Sequence, residues 1–298
     1  GNLEDRDDVY VLLWERVCRR MGACGEVWWV GWPETCTWLT PTFVERGVLS
    51  SALAVFGEPS LVLARGCYST YATILDKHPN AKRVCYPAGN HDPKLSDYTG
   101  ILTDTDTTAS RVRALGLLSD VLIKPAVEKV FVPYGTETNF DVVLCSSTAG
   151  EHKGFKWASE NIPKSLSVLR IGREDPWFQN SGHRVTFTGW LPRREIPKWA
   201  CQAKVCAVTS VADSNPRVIP EMLAMGIPFV ARNTFVLGEH FVSEKSGCVC
   251  SDARFGGVVS SVVSGCASFK PRQYYLERLS MDVASERLAS FLSLILDV

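Results

Sequence analysis

The chain has 298 residues, 32 of them basic and 32 acidic, so its formal net charge is zero. Neutrality gives it no global attraction to nucleic acid or to an anionic membrane surface, and no apolar run reaches the roughly 20 residues a membrane span needs. Eleven cysteines, an odd number without a C-x-x-C pair, read as reduced buried thiols, and the acidic, polar opening Leu3–Asp8 is not a signal peptide; a cytoplasmic protein is the expectation.

In chain order, Asp7–Met21 reads as a helix with apolar residues nearly all round, which predicts packing between other elements. Val27–Gly31 reads as a buried strand, Thr40–Arg46 as a helix and Ala52–Phe56 as a strand. Ser60–Ala64 is a strong strand candidate, followed by a helix over Cys67–Lys77 and a strand over Arg83–Tyr86 that runs into PAGNHD. Ile101–Thr103 predicts a strand, Thr107–Leu115 a helix, and Val130–Val132 a strand that closes the first half. Strands follow at Val142–Cys145, Ser167–Gly172 and Val185–Leu191, and Arg272–Val298 reads as helices. Strands alternating with helices argue for parallel, doubly wound sheets.

The most informative stretch is Val205–Ala231, VCAVTSVADSNPRVIPEMLAMGIPFVA. Val205–Thr209 is an apolar, β-branched strand, and Ser210–Pro216 is turn-rich. Pro216 and Pro220 bound a helix start, because a first turn has N–H groups without intrahelical partners and tolerates proline. Gly226 followed by Pro228 stops that helix, and Phe229–Ala231 is the next strand. A strand–helix–strand unit of this length implies parallel strands, whose ligands bind at the carboxyl ends. Asp213 and Glu221, eight residues apart, both fall there, beside helix N–H groups that suit an anion.

This segment resembles the donor-sugar motif of the retaining GT-B glycosyltransferases, the large group of bacterial and viral hexosyl- and mannosyltransferases. The matching residues are Asp213, Ser214–Pro216, Glu221, Met222–Gly226, Pro228 and Phe229–Ala231. Asp213 stands where that family usually has Glu, and SNPR replaces its usual Gly-aromatic-Gly loop. Val132–Gly135 resembles the family's linker into the donor domain, His152–Phe155 its Lys-Gly motif, Val185–Leu191 its V-x-F-x-G-x-L segment, and Gly238–Cys250 the region after the donor loop. The resemblance covers roughly Val130–Asp252.

It implies an α/β GT-B fold, with two Rossmann-like doubly wound domains facing a cleft. The expected division is an acceptor-side domain over 1–134, a nucleotide-sugar domain over 135–275, and a terminal helix over 276–298 that crosses back. It implies a retaining, metal-independent hexose transfer from a UDP- or GDP-linked sugar to an acceptor hydroxyl, with no further cofactor. The acceptor is expected to be a glycan or a lipid-linked sugar; zero net charge gives a nucleic-acid acceptor no support.

Residue by residue, the resemblance gives Glu221 the ribose hydroxyls, Asp213 the donor sugar, and Lys153 the diphosphate. Ser214, Asn215, Pro216, Arg217 and Val218 form the donor loop and helix start, and Gly189 and Trp190 line the nucleotide side. Thr148 occupies the place of a family arginine that shares the diphosphate; Arg217, Arg173 and Arg65 are the candidates to replace it. His91 follows a strand, several residues later than the family's histidine beside the transferred sugar. Trp32–Leu39 stands where many relatives have a Gly-rich loop. Each assignment has a plainer rival: a solvated helix glutamate for Glu221, a cap for Asp213, a surface lysine for Lys153. Two other functions stay open, a GT-B sugar-nucleotide 2-epimerase and a non-catalytic nucleotide-sugar-binding protein. Asp104-Thr105-Asp106 has the spacing of a metal-binding acid pair, but it precedes a helix whose first turn favours such residues, so capping is the expectation.

Overall fold

A computed structural model describes residues 9–22, 60–65, 79–87, 95–135, 137–146, 150–234 and 237–297. The elements expected at Val27–Gly31, Thr40–Arg46, Ala52–Phe56 and Cys67–Lys77, together with His91 and Thr148, lie outside these residues. The chain divides into two compact units, one of residues 1–122 with 285–298, the other of residues 123–284.

In the first unit, α1 (Val9–Met21) buries Val9, Leu13 and Val17 at helical spacing and turns Glu15, Arg19 and Arg20 to solvent. It is therefore amphipathic rather than apolar all round, because its polar residues fall on one face. Four parallel strands, β1 (Leu61–Arg65), β2 (Lys82–Tyr86), β3 (Gly100–Thr103) and β4 (Leu118–Val121), pair in chain order. Between the last two runs α2 (Asp106–Ala114), capped by the Thr105 hydroxyl accepting from the Thr108 N–H at 3.0 Å. Asp104 accepts a hydrogen bond from the Tyr86 hydroxyl. The helix start is thus capped by Thr105, Asp106 lies in its first turn, and Asp104 serves Tyr86 rather than the cap.

The strand expected at Val130–Val132 is instead a turn, closed by the Val130 and Phe131 N–H groups donating to the Val127 carbonyl. β4 takes the fourth place in the sheet. Its polar residues are satisfied from both sides: the Ser119 hydroxyl donates to the Ile101 carbonyl at 2.8 Å, and Asp120 receives the Arg287 guanidinium at 2.5–3.1 Å. Arg287 lies on the terminal helix, which begins in the second unit and ends in the first.

The second unit is built on six parallel strands: β5 (Phe140–Cys145), β6 (Ser167–Ile171), β7 (Arg184–Gly189), β8 (Ala203–Val208), β9 (Phe229–Arg232) and β10 (Gly247–Cys250). Their spatial order is β10-β9-β8-β5-β6-β7. Val142, Leu144, Val168, Val205, Ala207 and Val230 form the sheet's share of a core that Phe155, Phe178, Phe255 and Val259 complete. Strands buried on both faces read as continuous apolar runs, which is why the sequence shows them clearly. The helices used below are α3 (Phe155–Asn161), α4 (Pro176–Gln179), α5 (Ile196–Ala200), α6 (Val218–Ala224), α7 (Phe255–Gly265), α8 (Pro271–Arg278) and α9 (Met281–Asp297). α6 ends as its sequence implies: Gly226 has φ +88°, and the Ile227 N–H returns to the Met222 carbonyl at 2.9 Å.

Candidate functional site

The strand order places β5 next to β8, and the chain leaves them in opposite directions, β5 towards β6 and β7, β8 towards β9 and β10. Loops that diverge at such a switch point leave a crevice outside the carboxyl ends of the strands, where doubly wound sheets bind ligands. The segments that leave it are residues 146–154 after β5 and 209–217 after β8.

Both carry candidate residues, and the structure brings them together. The Lys153 ammonium lies 3.2 Å from an Asp213 carboxylate oxygen, with both side chains partly exposed. The backbone locks the two loops in register. The Val211 N–H donates to the His152 carbonyl at 2.9 Å, and the Thr209 hydroxyl donates to the Lys153 carbonyl at 2.8 Å. Gly154 makes this approach possible: it has φ +68°, and a Cβ there would lie 2.1 Å from the Thr209 carbonyl oxygen. Only glycine adopts that conformation cheaply and leaves the space open.

Arg232, at the carboxyl end of β9, fastens the same place from below. It donates to the Thr209 carbonyl at 3.3 Å, covers the Trp157 ring with its guanidinium carbon 3.7 Å from the centroid, and pairs with Asp252 at 2.5 Å. That pairing holds the Asp252 carboxyl below its usual range.

Glu221 sits in the first turn of α6 and is 9% exposed. Its Oε1 accepts from Arg193 Nη2 at 2.6 Å. Burial pushes its carboxyl up, while Arg193 and, less strongly, Arg217 pull it down. Two thiols sense the same charge: Cys145 is pushed up to about 12 by burial and by Glu221, and Cys206 is pushed up mainly by burial. Both stay protonated, so the charge of the Glu221 surroundings is carried by the two arginines.

The remaining candidates lie at the end of β7 and along the segment from the loop after β8 into α6. Ser214 accepts the Gly238 N–H at its carbonyl, at 2.8 Å. Asn215 is buried, and its carbonyl accepts from the Lys124 ammonium at 3.3 Å. The Pro216 carbonyl takes the Ile219 N–H and opens α6. Arg217 is exposed just before that helix, and Val218 is its first, half-buried residue. Gly189 ends β7 with φ +69°, and Trp190 beyond it is 67% exposed. Of the cations offered in place of Thr148, Arg217 is near enough to act on Glu221, Arg173 is exposed after β6, and the Arg65 side chain lies outside the described residues.

Three residues that the sequence reading passed over belong to this site: Arg193, Arg232 and Lys124. Arg193 follows directly on the V-T-F-T-G-W-L segment and its Pro192, so that segment was the signal available for it. Arg232 ends an otherwise apolar strand, where a lone arginine has to find a buried partner. Lys124 gave no signal, since its role depends on contact with a loop far along the chain.

The family model described as "Glycosyl transferases group 1" matches residues 140–262. No curated protein sequence matches the chain. Among solved structures, sucrose-phosphate synthase from Thermosynechococcus elongatus is 15% identical with a TM-score of 0.66, the alignment covering 86% of this chain and 81% of that one. HepE from Anabaena, solved with UDP, is 13% identical with a TM-score of 0.64, over 83% of this chain and 82% of that one. The lipopolysaccharide outer core galactosyltransferase WaaB is 15% identical with a TM-score of 0.64, over 82% and 77%. The fold is therefore GT-B, as the resemblance implied, and the match to glycosyl transferases group 1 over residues 140–262, together with these neighbours, marks the protein as a glycosyltransferase. Among the described residues no helix is long and apolar enough to cross a membrane.

Proposed function

We propose that this glycosyltransferase is a retaining, metal-independent hexosyltransferase of the cytoplasm, which takes its sugar from a nucleoside diphosphate and passes it to a hydroxyl of a glycan or lipid-linked sugar. The observation that carries this reading is the Lys153–Asp213 pair at the switch point, with the Glu221 carboxylate on the adjoining helix. These are the three chemical functions a nucleotide-sugar needs: a cation for the diphosphate, and carboxylates for the sugar and ribose hydroxyls. HepE has been solved with UDP and with UDP-glucose, which favours UDP over GDP as the nucleotide here.

On this reading the ion pair is the resting form of the site. An arriving diphosphate draws the Lys153 ammonium, and Asp213 turns to donor-sugar hydroxyls. Arg217 is the best-placed second cation in the absence of an arginine at position 148. The bond between the anomeric carbon and the diphosphate oxygen breaks, and the acceptor oxygen bonds to the same face of that carbon. The acceptor proton passes to the departing phosphate, and fixed cations stabilise the charge that develops there.

Lys153→Ala is expected to lower kcat about a hundredfold while donor affinity changes much less, since its charge matters most as the diphosphate departs. Steady-state kinetics on the purified variant decides: wild-type kcat with a raised KM would show plain binding instead. Activity is expected to persist in excess EDTA. Asp104→Asn combined with Asp106→Asn is expected to lower the melting temperature without changing kcat, because these residues serve Tyr86, the first turn of α2 and Arg287. Activity lost on chelation and restored by manganese would overturn the metal-independent mechanism.

A further inference from the structure

Building on the donor-site reading above, we propose that Arg193 is the positioning residue of the ribose subsite: it commits one oxygen of Glu221 and holds that side chain as a carboxylate, ready for a vicinal diol. The Arg193 Nη2 donates to Glu221 Oε1 at 2.6 Å, with the two side chains 22% and 12% exposed. Among the described residues no other group hydrogen-bonds this carboxylate, so Oε2 stays open to an incoming hydroxyl and Oε1 keeps a second lone pair.

Arg193 is itself held in place. It follows Pro192 in a single 3-10 turn after β7, and its guanidinium carbon lies 5.3 Å from the centroid of the buried Phe131 ring. The arginine thereby ties the loop after β7, where Gly189 and Trp190 lie, to the helix that follows β8.

Stability alone does not account for such a pair. Replacing a buried ion pair by apolar side chains of similar volume is often neutral or stabilising. A carboxylate placed at the carboxyl ends of a parallel sheet, with one oxygen open, has a use that an apolar pair lacks. It must also be ionised to accept two hydroxyl donors, since a protonated carboxyl spends one oxygen as a donor. Burial opposes ionisation, and Arg193 is the larger of the two influences that favour it.

Among the described residues, the groups facing Glu221 are few. They are Arg193 from the loop after β7, Arg217 from the start of its own helix, Cys145 from β5 and Cys206 from β8. From α8, which packs against α6, Arg272 binds the Ala224 carbonyl at the opposite end of the helix. Arg232 of β9 is engaged by Asp252, and Lys124 by the Asn215 carbonyl.

Removing Arg193 should therefore raise the pH at which the carboxylate is lost, and with it the pH below which nucleotide binding fails. The test is calorimetry of UDP and GDP across pH 5–8 on the unaltered chain, Arg193→Ala and Arg193→Lys, beside a carbon NMR titration of the Glu221 carboxyl without nucleotide. Arg193→Ala is expected to bind about tenfold or more weakly at pH 7, with both midpoints raised by roughly one pH unit. Arg193→Lys, which restores the charge but not the fork, should return both midpoints close to those of the unaltered chain. An arginine that serves only the fold would lower stability and leave both midpoints where they were, which would overturn this inference alone. If the unaltered chain bound neither nucleotide, the donor-site reading would fail and this inference with it.

Discussion

Glu221→Ala is expected to weaken nucleotide binding by about 2–4 kcal/mol, the loss of two hydrogen bonds to a charged acceptor, which is roughly a thirtyfold to thousandfold rise in Kd. It also removes the carboxylate that Arg193 binds at 2.6 Å, a contact whose two side chains are mostly covered, so the variant should lose stability as well. Glu221→Gln separates the two effects. It keeps the shape and one acceptor oxygen, so it should fold better than the alanine variant while still binding nucleotide poorly. Calorimetry beside a urea titration reads both. An unchanged Kd in folded Glu221→Gln and Glu221→Ala would remove Glu221 from the site.

Gly154→Ala is expected to destabilise the protein by about 2–5 kcal/mol. Its left-handed backbone costs any other residue roughly 1–2 kcal/mol, and overpacking typically adds about 1–3. Here the added Cβ would meet the Thr209 carbonyl oxygen at 2.1 Å, so one of the two backbones has to shift. Those are the backbones that bring Lys153 and Asp213 together, and turnover should fall with stability. Gly182→Ala is the control: it has φ +78° but nothing within 4 Å of its Cβ, so only the roughly 1–2 kcal/mol of the backbone is expected. Equal costs at the two glycines in urea unfolding would mean that the contact between the loops is not held as tightly as described.

The six-stranded sheet was legible because its central strands are buried on both faces. VVLC, SVLRI and VCAV are apolar runs, and Gly226 with Pro228 punctuates the helix between β8 and β9. The juxtaposition of Lys153 and Asp213 was legible in part: the residues were named from their motifs, but their ion pair depends on Gly154 letting one backbone cross another. β4 was not legible. LSDV carries a serine and an aspartate that argue against a strand until Arg287, far along the chain, neutralises the aspartate. The two valines and the phenylalanine of Val130–Val132 looked more like a strand, yet the chain turns there on local backbone hydrogen bonds. Arg193 shows the same limit. A charge whose partner is distant in sequence carries no local pattern, and two residues beyond a recognised segment it reads as a surface arginine.

The most direct test of the account is the thermal stability of the purified chain against a panel of nucleotide-sugars and free nucleotides. A ligand that binds the native state alone raises the melting temperature by mass action, by about 2.7 kcal/mol of added stability at a hundredfold excess over Kd. One UDP- or GDP-linked hexose and its free nucleoside diphosphate are expected to raise the melting temperature, and neither is expected to do so in Glu221→Ala. A panel in which no nucleoside diphosphate or nucleotide-sugar shifts the transition would contradict the assignment of this site to a nucleotide-sugar donor.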